Sequence, residues 1–183
     1  RYVHMIRAGA AEMASLIDDM LRLSRVNRDE MRRESIDLTR LARETIERQR
    51  AGNTLEIETF VEPGLVVVAD AGLLRTALDN LISNALKFAR GTSSPRIEVG
   101  RDPTAPADTF FVRDNGVGFD MAHASRLFIA FERLHRRDEF EGTGIGLAIV
   151  ARVMRRHGGT ARGTSVPGQG ATFFFTIPRE VRT

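Results

Sequence analysis

Two glycine clusters bracket a charged stretch containing several phenylalanines: Arg113-Asp-Asn-Gly-Val-Gly-Phe119 and Glu141-Gly-Thr-Gly-Ile-Gly-Leu-Ala-Ile149. The second cluster opens a helix, because Leu147, Ile149, Val150, Val153 and Met154 recur at helical spacing. Glycines ahead of a helix let the backbone approach a ligand closely and aim free N–H groups, with the helix dipole, at an anion. Asp114 ends an apolar run, Thr109-Phe-Phe-Val112, and places a carboxylate acceptor beside the first cluster. Upstream, Asn80, Asn84 and Lys87 fall at i, i+4 and i+7, so they share one side of a helix. Amide oxygens suit a hard cation such as Mg²⁺ that shares phosphate oxygens. Lys87 is the only lysine among 27 basic residues. Together these groups have the chemistry of a nucleotide site. Each fragment also has a plainer reading: Asn115-Gly116 suits a tight turn, the other glycines suit loop punctuation, and the asparagine row suits a solvated helix face.

The surrounding chain must supply elements to hold them. At 183 residues it is long enough for one good core plus an additional element. Net charge is only +3 with acids and bases interspersed, which gives no electrostatic footprint for nucleic acid. No apolar run approaches the roughly 20 residues of a membrane span, and no signal peptide is visible. The absence of cysteine excludes disulfides and thiolate metal sites. The chain starts at Arg1 within a helical pattern and is read as part of something longer, of cytoplasmic location.

Residues 1–24 place Val3, Ile6, Ala10, Met13, Ile17 and Met20 in a 3-4-3-4-3 seam, widened by Leu16, Leu21 and Leu23. That is the pattern of a bundle helix awaiting partners. Residues 25–37 read as a charged connector leading into the next unit, with Ser35 or Asp37 capping a helix over 38–51. Leu55–Val61 alternates as a strand and Leu65–Ala69 is a second, short one. Asp70 caps a helix over 71–89 whose apolar stripe is Leu74, Leu78, Leu81, Ile82, Ala85 and Phe88. Strands follow at Arg96–Arg101 and Thr109–Asp114. After the glycine-led helix, which ends near His157, two more come at Thr160–Ser165 and Ala171–Ile177.

With all three elements in view, the chain resembles the ATP-binding half of a two-component sensor histidine kinase, in the superfamily shared with gyrase, heat-shock chaperone and mismatch-repair ATPases. The residues that carry the resemblance are Asp79-Asn-Leu-Ile-Ser-Asn-Ala-Leu-Lys-Phe88, Asp114-Asn-Gly-Val-Gly118, Phe128-Ile-Ala-Phe131 and Gly142-Thr-Gly-Ile-Gly-Leu147, in that order over about 37–178. Residues 1–24 resemble the second helix of the dimerisation bundle. The short lid Phe131–Gly142 looks most like that of phytochrome-type and related soluble kinases.

The resemblance implies an α+β fold, an ATP-binding sandwich of a mixed sheet covered by helices on one face, preceded by a long bundle helix. It divides the chain into a bundle helix over 1–24, a linker over 25–37 and a catalytic domain over 38–183. It assigns Asp114 to the adenine amino group, and Gly116 and Gly118 to making room for the base. Asn84 would ligate Mg²⁺, with Asn80 nearby and Lys87 on the phosphates. Gly142, Thr143, Gly144, Gly146 and Leu147 form the phosphate loop. Phe131, Arg133 and Arg136 belong to the lid, with Phe128 and Phe131 anchoring its base. The segment 119–141 is expected to be a mobile flap. The implied partners are ATP, a second copy through the helix bundle, and the receiver domain of a response regulator, with neither nucleic acid nor membrane.

The resemblance also has a gap. A phospho-acceptor box, a histidine followed by an acidic residue and later Pro-Leu, is absent. His4 has the wrong neighbours, and His123, His135 and His157 fall on the lid or at a helix end. Asparagine at position 80 has no usable basicity for activating water. The implied function is therefore transfer of the γ-phosphoryl group to a histidine outside this chain. Two alternatives share the ATP site: a nucleotide-binding pseudokinase, and a serine kinase of the anti-sigma-factor type, against which residues 1–24 argue.

Overall fold

The computed structural model describes residues 2–28, 30–51, 56–105, 108–134, 140 and 142–179. Two aspartates start the helices around which it is organised. Asp37 accepts from Arg40 N at 2.8 Å and begins α2 (Leu38–Arg50). Asp70 accepts from Leu73 N at 2.9 Å and begins α3 (Ala71–Ala89). Each carboxylate satisfies an amide that the first turn leaves without a partner. Before them runs α1 (Tyr2–Arg28), and near the end comes α4 (Gly146–Arg156).

The strands are β1 (Glu34–Asp37), β2 (Glu58–Val61), β3 (Val66–Ala69), β4 (Arg96–Arg101), β5 (Thr109–Asp114), β6 (Ala161–Val166) and β7 (Gly170–Thr176). Five form one mixed sheet in the order β2-β4-β5-β7-β6, with β2 parallel to β4 and every other pair antiparallel. The separate pair β1-β3 is antiparallel, with Glu34 opposite Ala69 and Asp37 opposite Val66.

Period-two alternation sets the layers. Ile97 and Val99 of β4, Phe110 and Val112 of β5, and Phe173 and Phe175 of β7 are buried. They share a core with Leu41 and Ile46 of α2, Leu74, Leu78, Leu81 and Ile82 of α3, and Ile149 and Val153 of α4. On the opposite face Phe111 and Phe174 lie under guanidinium groups, Arg113 at 4.9 Å and Arg162 at 3.6 Å from the ring centroids. The result is an α+β sandwich with helices on one face of a mixed sheet.

Three sequence expectations change. The helix of residues 1–24 continues to Arg28, with Val26 of its last turn buried in the core rather than lying in a linker. The connector of 25–37 contains β1, which has a single apolar residue, Ile36, and exists through its pairing with β3. The strand expected over Leu55–Val61 is confined to Glu58–Val61, with Leu55 outside the described residues.

His157 closes the helical layer. It is fully buried, with Nδ1 donating to Val153 O at 2.8 Å and Nε2 accepting from Asp70 N at 3.0 Å. The ring thus ties the end of α4 to the start of α3 as a neutral imidazole, and burial pushes its pKa below the ordinary value. His157→Ala is expected to cost about 2–4 kcal/mol, the scale of a buried side chain lost with its hydrogen bonds. Because the unfolded chain binds a proton near pH 6.5 and the folded ring does so only at lower pH, His157 makes stability fall as pH drops below about 6.5. The limiting slope is about 1.4 kcal/mol per pH unit. His157→Phe should lack that component. Denaturant titrations of both proteins at pH 7.5 and pH 5.5 check it, and parallel losses would show that the ring does not titrate in this way.

Candidate nucleotide site

Between α3, the ends of β5 and β7, the loop before α4 and α1 lies a cleft of about 1240 Å³. Its long wall is α3. The i, i+4, i+7 spacing brings Asn80, Asn84 and Lys87 to this wall, as expected from their types. Asn80 Nδ2 donates to Thr76 O at 2.8 Å within its own helix. Its Oδ1 sits where it would lie only 2.6 Å from a Cβ on Gly146, so a side chain at the first residue of α4 would displace the Asn80 amide. Lys87 Nζ lies 4.3 Å from the centroid of Phe88 and would be 3.3 Å from a Cβ on Gly142, which joins the far end of α3 to the glycine loop.

The inner end of the cleft is Asp114. Only 3 % of its surface is exposed, and Oδ1 accepts from Gly116 N at 2.9 Å. Burial pushes the carboxyl up to about 6, opposed in part by hydrogen bonds from the backbone of Gly116 and Ala171. A buried acceptor of this kind at the end of a cleft suits a ligand N–H. Gly118, Ala171 and Phe173 complete this end.

The glycines of the first cluster have a more immediate role than making room for a base. A Cβ on Gly116 would stand 2.2 Å from Phe88 O, and one on Gly118 would stand 2.4 Å from Val166 O. Gly118 lines the cleft, whereas Gly116 acts from beneath it, as the amide that holds Asp114.

At the other end, Gly142, Thr143, Gly144, Gly146 and Leu147 line the cleft ahead of α4. Ile145 caps α4 without a side-chain hydrogen bond, so the first-turn amides stay available to an anion. Gly144 has φ +76, which a side chain would resist, and its carbonyl accepts from Phe131 N at 3.0 Å.

Part of the expected 119–141 flap packs onto the core. Phe119 and Leu127 are buried, Phe128 packs against the core, and a 3-10 turn covers Met121–Arg126. Phe131 is expected to anchor the base of the flap. Its side chain is instead 58 % exposed and does not line the cleft. Its contribution is backbone: φ +69, strained for a phenylalanine, in the turn tied to Gly144. Arg133 lines the cleft and donates to Gly142 O and Phe140 O, fastening the two ends of the flap together. Phe140 meets Phe88 edge-on, with ring centroids 4.9 Å apart. His135 and Arg136 lie outside the described residues.

Sequence reasoning missed the contribution of α1. Ser15, Asp19 and Arg22 line the cleft, and Thr143 Oγ1 donates to Asp19 Oδ2 at 2.6 Å. The signal was available: Leu16, Leu23 and Val26 form an inward row on α1, and Asp19 is a carboxylate at the same spacing.

No group of three or more His, Asp or Glu side chains among the described residues could cage a metal by itself. The donor set at Asn80 and Asn84 fits a hard cation that keeps waters and arrives shared with phosphate oxygens. No helix among the described residues is long and apolar enough to cross a membrane.

Comparisons with known proteins place the chain in one family. The family model described as histidine kinase-, DNA gyrase B- and HSP90-like ATPase matches residues 69–181. Phytochrome-like protein Cph1 of Synechocystis sp. is 37 % identical over 180 residues, covering 97 % of this chain and 24 % of that protein. Sensor protein kinase WalK of Staphylococcus aureus is 29 % identical over 187 residues, covering 99 % of this chain and 45 % of that protein. The chain thus spans less than half the length of these relatives. Among solved structures, full-length ShkA in complex with AMPPNP superposes with a TM-score of 0.71 at 28 % identity, over 98 % of this chain and 39 % of that one.

Proposed function

Because this chain belongs to the histidine kinase-, DNA gyrase B- and HSP90-like ATPase family, we propose that it is the ATP-binding catalytic region of a sensor histidine kinase, passing the γ-phosphoryl group of Mg-ATP to a histidine outside the chain. The observation that carries the reading is one cleft with the buried Asp114 acceptor at one end and the uncapped start of α4 at the other, spanned by Asn84 and Lys87.

Asp114 accepts the adenine amino group, a charge-assisted bond that a guanine carbonyl could not make. Lys87 and the amides of Gly142, Thr143, Gly144 and Gly146 hold the phosphate chain in line. Asn84, with Asn80 beside it, would hold Mg²⁺, which supplies charge neutralisation on the β- and γ-phosphates. Asn80 offers no base for a water molecule, so hydrolysis is disfavoured and a neutral imidazole, already nucleophilic, is the fitting acceptor.

Among the described residues no histidine supports the acceptor role. Both ring nitrogens of His157 are engaged in the core, and His123 is exposed on the 3-10 turn Met121–Arg126. His4 is fifteen residues before Asp19, roughly 22 Å up α1 at 1.5 Å per residue. The exposed row Ile6, Met13, Ile17 and Met20 on α1 suits a second copy of this helix in a bundle. Dimerisation, a response-regulator receiver domain as recipient, and a cytoplasmic location complete the reading.

The test is γ-labelled ATP. This chain should bind Mg-ATP, hydrolyse it negligibly and acquire no acid-labile label, whereas a longer form with a helix carrying a phospho-acceptor histidine box added ahead of α1 should be labelled on histidine. Acid-labile label on this chain that disappears in His4→Gln would move the acceptor onto α1. Binding without label in either form would favour a pseudokinase.

A further inference from the structure

Helix α1 has two apolar rows. The outward one is exposed, with Ile6, Met13, Ile17 and Met20. The inward one is Leu16, Asp19, Leu23 and Val26, at 3-4-3 spacing, and its three apolar members pack against the core. Asp19 is the exception, a half-buried carboxylate in an apolar row, while its neighbour Asp18 is exposed. At the level of Asp19 the row faces Thr143, in the middle of the glycine loop, and the two side chains share a 2.6 Å hydrogen bond. The same hydroxyl accepts from Ile145 N at 3.4 Å, so Asp19 is one residue removed from the first-turn amides of α4. Farther along, Arg156 of α4 donates to Val26 O at 2.5 Å near the end of α1. Besides the apolar row, two hydrogen bonds therefore hold the helix, and only one of them lies in the cleft.

A carboxylate against a phosphate-cradling loop is in the place of an anion. The loop's amides and helix dipole favour negative charge there whether it comes from Asp19 or from a phosphate. Both together bring like charges within a few ångströms, where repulsion in a partly desolvated cleft is strong. On this ground, and resting on the nucleotide reading of the cleft, we infer that Asp19 is an autoinhibitory stand-in for the phosphate chain. It holds the cleft end of α1 on the glycine loop, and bound ATP takes its place and releases that end. Nucleotide binding and docking of α1 at Thr143 are then mutually exclusive, and each weakens the other by the same factor.

The test compares calorimetric affinities of the wild-type chain, Asp19→Asn and Asp19→Leu for Mg-ATP and Mg-ADP. Leucine removes both the charge and the bond to Thr143 while extending the apolar row, which guards against a merely structural effect. Both variants should bind ATP about tenfold more tightly, with a smaller gain for ADP and a gain that shrinks in 1 M salt as the charges are screened. A second readout uses the absence of native cysteine. Spin labels at Arg7→Cys on α1 and Arg155→Cys on α4 should move apart when saturating Mg-ATP is added to the otherwise wild-type chain. ATP binding of equal strength in all three proteins, with an unchanged label distance, overturns the inference and leaves the nucleotide reading intact. Weaker binding in Asp19→Asn also overturns it, since Asp19 would then help to hold the cation. No ATP binding by any of the three removes the nucleotide reading and this inference with it.

Discussion

Asp114→Asn weakens ATP binding by about 10- to 150-fold and makes the empty protein more stable. The first effect follows from the loss of a charged acceptor: a hydrogen bond to an ionised group contributes about 1.5–3 kcal/mol. The second follows from burial. The carboxyl, ordinarily near 3.8, is pushed up to about 6. Between those values the folded protein binds more protons than the unfolded one, so this group makes stability fall as pH rises through the window. By neutral pH the whole penalty is present, up to about 3 kcal/mol for a shift of this size. An amide keeps an acceptor for Gly116 N and carries no charge to desolvate, so a gain of about 1–3 kcal/mol is expected at pH 7.5, fading toward pH 4. Affinity should show the complementary pH dependence. Below about pH 6 wild-type Asp114 protonates and binding weakens, whereas Asp114→Asn lacks that component, and comparing the two proteins cancels the titration of the nucleotide itself. Equal affinities, or a lower melting temperature in the variant, would remove Asp114 from its place as the adenine acceptor under strain.

Gly116→Ala should damage both properties together. The added carbon would stand 2.2 Å from Phe88 O, 2.5 Å from Phe88 C and 2.8 Å from Asp114 Oδ1. Two of these are backbone atoms at the end of α3, where Phe88 O also accepts from Val117 N at 3.2 Å, so no side-chain rotation relieves the clash. Overpacking commonly costs about 1–3 kcal/mol, and a backbone clash belongs at or above the top of that range. Moving Gly116 also moves the amide that holds Asp114, so affinity should fall more than tenfold even where the variant remains folded. Gly9→Ala is the control: nothing lies within 4 Å of its Cβ, and it sits in a helix where alanine is favoured. A Gly116→Ala protein that melts and binds like wild type would show that the turn is looser than the geometry requires.

What local chemistry determines was legible in the sequence. The start of α3 follows from Asp70 as its cap, and the cleft wall follows from asparagines and a lysine at spacings that only a helix brings together. Strand β4 follows from alternation and β5 from an apolar run. Features that depend on a distant partner were not legible. Strand β1 has one inward apolar residue and forms because β3 is beside it. The parallel pairing of β2 with β4 needs two chain segments that carry no mark of each other. Phe131 reads as a core aromatic by type, yet the strained turn that ties it to Gly144 leaves its ring outside. On α1 the outward seam dominated the pattern, and the sparser inward row gains meaning only when α4 supplies its other side.

The bond from Arg156 to Val26 sits near one end of a 27-residue helix, and that placement gives α1 the mechanics of a lever. Seven residues separate Val26 from Asp19 and twenty-four separate it from Tyr2, arms of about 10 Å and 36 Å at 1.5 Å per residue. A rigid rod pivoting at Val26 multiplies displacement by the ratio of its arms, about 3.4. A tilt that separates Asp19 from Thr143 by about 3 Å, enough to break their hydrogen bond, therefore carries the far tip through about 10 Å. Force scales the other way, so a modest load on the distant tip presses Asp19 home with leverage.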